Sequence, residues 1–372
     1  MKILWLTNIP SPYRMKFFNE LGKQCELTVL FERKSSSERD ESWDTFSAKT
    51  FKAIIMPGIK MNVAEAFCPS VIKYINKKYD HIVVTNFSDP TGMLAILNMR
   101  IRKISYEVES DGAFPKDNRS LKAKIKKFIF IGAKKCFSTA KLNDEYYLLN
   151  GATRDKIVRY PFTSVMEEEV LLEPVSFEIK NNIRKKIHIK ERYMILAVGQ
   201  FIYRKGFDIL IKSASYLGRD YGIYIVGGYP PKEYIQLITN LKLENVHFIK
   251  FQLPEVLREY YDAADVFVHP TREDIWGLVI NEALSQGLPV ITTNKCIAGL
   301  ELIEDGKNGY IIDVENKEML LEKTNFFFSL SNEKRKNIME NCLNKINKYT
   351  LENMSTIHAD FLKKIENYKI DR

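Results

Sequence analysis

Disulfide, metal and mononucleotide signatures are what this chain lacks. Its five cysteines (Cys25, Cys68, Cys136, Cys296, Cys342) are scattered through 372 residues without C-x-x-C spacing. Reduced thiols are therefore expected, not a disulfide frame or a zinc site. There is no D-x-D and no His, Asp or Glu cluster with metal-ligand spacing, so no metal site is expected. Neither G-x-x-x-x-G-K-[ST] nor G-x-G-x-x-G occurs, which removes kinase and dehydrogenase readings. No apolar run approaches the roughly 18 residues of a membrane span. The opening MKILWLTNIP is too short before Pro10 and Pro12 to act as a signal peptide and reads as a first buried strand.

What is present is an ordinary globular composition, 45% hydrophobic and 28% charged, with length for two domains. The net charge of +9 is concentrated in one place. Lys122, Lys124, Lys126, Lys127, Lys134 and Lys135 alternate with Leu121, Ile125, Phe128, Ile129 and Ile131, without one acid. Three readings stay open for this helix, Leu121 to Lys135: a solvated face over a core helix, a surface for an anionic membrane, or nucleic acid. The last ranks behind the others, because no helix-turn-helix, finger or RNP-like string accompanies it, and no nucleic-acid partner is expected.

Apolar runs alternate with helical stretches: Ile3–Thr7, Leu27–Phe31, Ile82–Thr85, Ile104–Val108, Tyr193–Val198, Tyr221–Val226, Val246–Phe251, Val266–His269 and Pro289–Thr292. Continuous apolar strands separated by helices predict parallel sheets covered on both faces. The rhythm breaks between Pro161 and Arg192, placing a domain boundary near Ser164–Leu172. The expected fold class is α/β, two doubly wound Rossmann-like domains facing a cleft, 1–165 and 166–350, with ligands at the strands' C-terminal ends. Spacing of Met354, Ile357, Phe361 and Ile365 predicts a C-terminal helix over 351–372.

The densest motif is TREDIWGLVINEALSQGLPVITTN, Thr271 to Asn294. Ile275, Trp276 and Gly277 lead into a helix from Leu278 to Gln286, Gly287 sits at its C-cap, and a buried strand follows. A helix N-terminus offers N–H groups to an anion, while Glu282, one turn in, suits sugar hydroxyls. The segment resembles the donor signature of retaining glycosyltransferases of family 4, which have the GT-B fold. Their pattern is two glutamates with seven residues between them, followed by A, two or three residues, and G-x-P-V. Here Asp274 takes the first position, with Glu273 beside it, and Glu282 the second.

A second match opens the other half of the site. Gln200 stands where the family pattern, G-R-L-x3-K-G, has arginine; Lys205 and Gly206 match it, and Arg204 or a cation from elsewhere supplies the missing charge. By this resemblance Arg204, Lys205, Gly206, Trp276, Gly277, Leu278 and Glu282 hold the nucleotide diphosphate, with Lys250 and Phe251 near the base. Glu273 and Asp274 meet the donor sugar. In the first domain the Pro10–Arg14 turn is expected to present Tyr13 and Arg14 to acceptor or phosphate, and Asp111 faces the reacting sugar, with Glu109 as its rival. His269, at a strand end, reads as structural.

The resemblance also implies that the last helix packs back on the first domain. It implies retaining, metal-independent transfer of a hexosyl or N-acetylhexosaminyl group, without a cofactor, from a UDP-sugar, or alternatively a GDP-sugar. The implied acceptor is a glycan or lipid-linked glycan of bacterial capsule, lipopolysaccharide or teichoic-acid assembly. The expected location is cytoplasmic, peripheral on the inner face of the plasma membrane. A nucleotide-sugar epimerase of the same fold and a non-catalytic partner subunit remain as alternatives.

Overall fold

The computed structural model describes residues 1–34, 47–61, 65–116 and 120–370, without the side chains of 121 and 365–370. Leu121 of the lysine-rich helix, as a side chain, and the last two residues of the expected C-terminal helix thus lie outside the described residues. Contacts divide the chain into two units, Met1–Ser164 with Tyr349–Arg372, and Val165–Lys348.

The first unit runs β1 (Lys2–Thr7), α1 (Pro12–Leu21), β2 (Glu26–Phe31), β3 (Lys52–Ile55), the short pair β4 (Ile59–Lys60) and β5 (Ala66–Phe67), α2 (Val71–Tyr74), β6 (His81–Val84), α3 (Pro90–Ile101), β7 (Glu107–Glu109), α4 (Leu121–Gly132), β8 (Cys136–Ser138), α5 (Lys141–Leu149) and β9 (Ile157–Arg159). Seven parallel strands pair in the order β3-β2-β1-β6-β7-β8-β9. Ile3 to Thr7 are all buried because helices cover both faces of the sheet. Pro12 and Pro90 open α1 and α3, where a missing N–H costs nothing and the fixed φ suits a first turn.

Strand β7 begins three residues later than expected. Ile104 is apolar for another reason: its N–H bonds to Met99 O at 2.8 Å and that of Lys103 to Arg100 O at 3.2 Å, with Lys103 at φ 53. That is a Schellman closure of α3, made by a lysine where glycine is usual.

The second unit runs α6 (Phe177–Lys186), β10 (Tyr193–Val198), α7 (Phe207–Ala214), β11 (Tyr221–Val226), α8 (Lys232–Leu241), β12 (Val246–Ile249), α9 (Pro254–Ala263), β13 (Val266–His269), α10 (Leu278–Ser285), β14 (Val290–Thr293), α11 (Ile297–Leu302), β15 (Gly309–Ile312), α12 (Lys317–Ser329) and α13 (Asn332–Ile346). Its six parallel strands pair as β12-β11-β10-β13-β14-β15. Phe207, Leu210, Ile223, Ile225, Val266 and Val268 join one buried cluster, each side chain worth about 1.5–3 kcal/mol when removed from water. The chain steps outward from β10 to β12, then returns to the other side of β10 as β13. That reversal opens a crevice beyond the ends of β10 and β13, the place where doubly wound sheets take ligands. The last helix, α14 (Leu351–Ile370), rejoins the first unit and lies along α1.

Candidate functional site

Two loops meet at the crevice of the second unit. After β10 the chain turns through Tyr203–Lys205 and Gly206, and after β13 through Pro270 to Gly277. Gly206 holds φ 69, and a Cβ there would stand 2.0 Å from Pro270 O, so only glycine lets the loops close this tightly. Thr271 Oγ1 and Arg272 N both donate to Arg204 O, at 2.9 and 2.8 Å. Arg272 grips Asp208 of α7 with Nη1 and Nη2 at 2.8 and 3.0 Å and lies over the Tyr203 ring. The backbone bearing the cations is thereby fixed from both sides.

At the centre is Asp274, nearly buried. Its Oδ2 accepts from Lys205 Nζ at 2.6 Å and His269 Nε2 at 3.1 Å, and its Oδ1 lies 3.2 Å from Arg204 Nη1. Arg204 also donates to Glu273 O at 2.7 Å. Burial pushes the Asp274 carboxyl up, but the His269 hydrogen bond and the Lys205 charge outweigh it and hold it far below the usual range. Burial first, and then the Lys205 charge, press His269 below its ordinary value. The proton facing Asp274 is assigned to Nε2 by that bond, and among the described residues buried Nδ1 has no hydrogen-bond partner. Two cations, Lys205 and Arg204, around the one carboxylate of Asp274 leave surplus positive charge, which is what an anionic ligand needs.

The expected roles shift in two places. Both Asp274 oxygens face bases, so Asp274 sets the cations in place. Trp276 is buried, its indole N–H donating to Asn281 Oδ1 at 2.8 Å, so it packs the start of α10 and offers no ring to a nucleotide. Gly277 at φ 101 sits against Cys296 Sγ and brings the chain into α10 at Leu278. Glu282, half-buried one turn on, accepts from the Tyr261 hydroxyl at 3.0 Å. Lys250 and Phe251 follow β12, two strands from β10 and so roughly 10 Å aside; Phe251 is exposed and Lys250 lies over the Tyr229 ring. Gln200 sits exposed on the turn after β10.

In the first unit Arg14 is buried, not presented by its turn. Its guanidinium donates to Glu109 and Asp111, and Tyr13 Oη donates to Asp111 Oδ2 at 2.7 Å. Glu109 also meets His358 of α14, whose Nε2 lies 2.9 Å from Oε2. Burial raises the Glu109 carboxyl, yet Arg14 and then His358 hold it below its ordinary value. Asp111 is raised, by burial first, with the Glu109 charge adding to it and Arg14 opposing. Before α3, burial and then the charges of Glu65 and Glu32 push Asp89 up to about 8.

Sequence reasoning set His269 aside and missed His358. A histidine closing a buried strand five residues before an acid was the available signal for the first. For the second there was none, because 249 residues separate His358 from Glu109.

Residues 179–344 match the family Glycosyl transferases group 1. The chain is 30% identical over 172 residues to spore coat protein SA of Bacillus subtilis, covering 43% of this chain and 45% of that protein. It is 34% identical over 119 residues to the lipopolysaccharide glucosyltransferase WaaG of Escherichia coli, covering 30% and 31%. The matches thus span less than half the length of these curated relatives. The crystal structure of Anabaena HepE in complex with UDP and glucose aligns with a TM-score of 0.75 at 16% identity, over 98% of this chain and 99% of that one. The architecture, two Rossmann-like parallel-sheet domains, is that of the GT-B fold.

Proposed function

We propose that this protein transfers a sugar from a nucleotide-diphosphate sugar to an acceptor hydroxyl, retaining anomeric configuration. The observation that carries the reading is the convergence of Lys205 and Arg204 on Asp274 at the switch point, beside the start of α10. A diphosphate at this corner meets two fixed cations and the positive end of a helix. As the glycosidic bond breaks, charge grows on the leaving phosphate, and donors already in position stabilise it without reorganising. These side chains take the part a metal ion plays elsewhere, so the reaction is metal-independent. Glu282, steadied by Tyr261, accepts from ribose hydroxyls, and Glu273 meets the donor sugar. Asp111 is the carboxylate of the first unit assigned to the acceptor side, and the leaving phosphate takes the acceptor proton.

HepE was solved with UDP, which supports a UDP-sugar as donor, hexosyl or N-acetylhexosaminyl. WaaG is a lipopolysaccharide glucosyltransferase, which supports a lipid-linked glycan of surface-polysaccharide assembly as acceptor, met on the inner face of the plasma membrane. The test is incubation with UDP-, GDP- and ADP-sugars. Slow release of nucleoside diphosphate and free sugar is expected, lost in Lys205→Ala. Interconversion of donors would mean an epimerase, and inertness toward every donor a non-catalytic subunit.

A further inference from the structure

Helix α4 divides its apolar residues between two faces. Ile129 and Phe130 are buried, Phe130 edge-on to Tyr147 and Phe87 at 4.9 and 5.2 Å. Phe128 and Ile131 instead stand 42% and 49% exposed, on one helical stripe with exposed Lys124 and Lys127. Other apolar side chains join them. Arg100 lies over the Phe128 ring at 4.0 Å and donates to Phe128 O, which brings in the end of α3, where Ile101 is 73% exposed. Gly151 fits against Lys127 and Ile131, so the corner after α5, with Leu149 59% exposed, borders the same patch. Lys156 donates to Ile131 O at 2.7 Å and Lys135 to Asp155 O at 2.5 Å, adding cations to the rim; Asp155 is the acid among them.

Large apolar side chains scattered singly over a surface need no explanation, but several grouped inside a basic rim do. The lysines alone fit any polyanion. Phe128, Ile131, Ile101 and Leu149 select among polyanions, because an acyl-chain boundary buries them and a phosphate backbone does not. We infer that this face of the first unit docks on an anionic lipid bilayer, with lysines at the headgroups and Phe128 and Ile131 inserted below them. The inference stands apart from the transfer reaction, since none of these residues belongs to the donor corner.

The test is co-sedimentation of the full chain with phosphatidylcholine vesicles, with and without phosphatidylglycerol. Binding is expected only with the anionic lipid and is expected to fall with salt. Each lysine at the surface strengthens it roughly fivefold, so the triple change Lys122→Glu, Lys124→Glu, Lys127→Glu weakens it at least roughly 100-fold. Phe128→Ser with Ile131→Ser weakens it further than salt alone does. Phe128→Trp, which keeps an aromatic ring, gives emission that shifts to the blue on anionic vesicles. Wild type that stays in solution at low salt, sediments equally with neutral vesicles, or binds RNA and not vesicles would overturn the inference. So would serine variants that bind like wild type. Release of nucleoside diphosphate in solution is expected to be the same in all these variants, which separates failure here from failure of the transfer reading.

Discussion

The two units carry ionic clusters of opposite design. In the second, one carboxylate, Asp274, is surrounded by Lys205, Arg204 and His269. In the first, one guanidinium, Arg14, is held between two carboxylates, Glu109 and Asp111. In the first cluster Arg14 and Glu109 are buried and α14 caps Glu109 through His358, while the Asp111 side chain keeps 30% of its surface exposed. The second is open on one side, since the Arg204 side chain is 44% exposed. A buried pair contributes to stability chiefly through what is lost when one partner goes. A cation with solvent beside it can still take a ligand.

That contrast is broken or sharpened by substitution. The largest effect on stability is expected from Arg14→Ala, which leaves Glu109 and Asp111 without their cation. Urea unfolding is expected to show a loss of about 3–5 kcal/mol. Lys205→Ala leaves Asp274 with His269 and Arg204, and a smaller loss is expected, about 1–2 kcal/mol. Equal losses would erase the distinction between the clusters. The smallest effect concerns Asp89. Its folded value near 8 lies above the unfolded value of about 3.9. The protonated group is therefore the one favoured by folding, and its contribution is full below about pH 4 and lost as pH rises through about 8. Asp89→Asn is expected to raise the melting temperature over wild type more at pH 8.5 than at pH 5. An equal rise at both would show that Asp89 ionises freely in the folded chain.

The strands of both sheets were legible where they were long and apolar, as in Ile3–Thr7 and Tyr193–Val198, because a strand buried on both faces leaves an unbroken hydrophobic run. Strands β8 and β9, three residues each, left no such run, and Ile104 misled because an apolar residue sealing a helix end looks like a strand start. That the Lys205–Gly206 turn and the loop entering α10 meet at one crevice was legible through the family resemblance. The reassignments of Asp274, Trp276 and Arg14 were not. They depend on how deeply each side chain sits and on partners as distant as Lys205 from Asp274, 69 positions apart.

The central claim, that the Asp274 corner is a diphosphate site needing no metal, is tested most directly by titrating UDP calorimetrically into the full chain in excess EDTA. Wild type is expected to bind. Lys205→Ala is expected to bind about 10- to 150-fold more weakly, the loss of one charge-assisted contact of about 1.5–3 kcal/mol. No binding by wild type until magnesium or manganese is restored, or equal affinity in the two proteins, would contradict it.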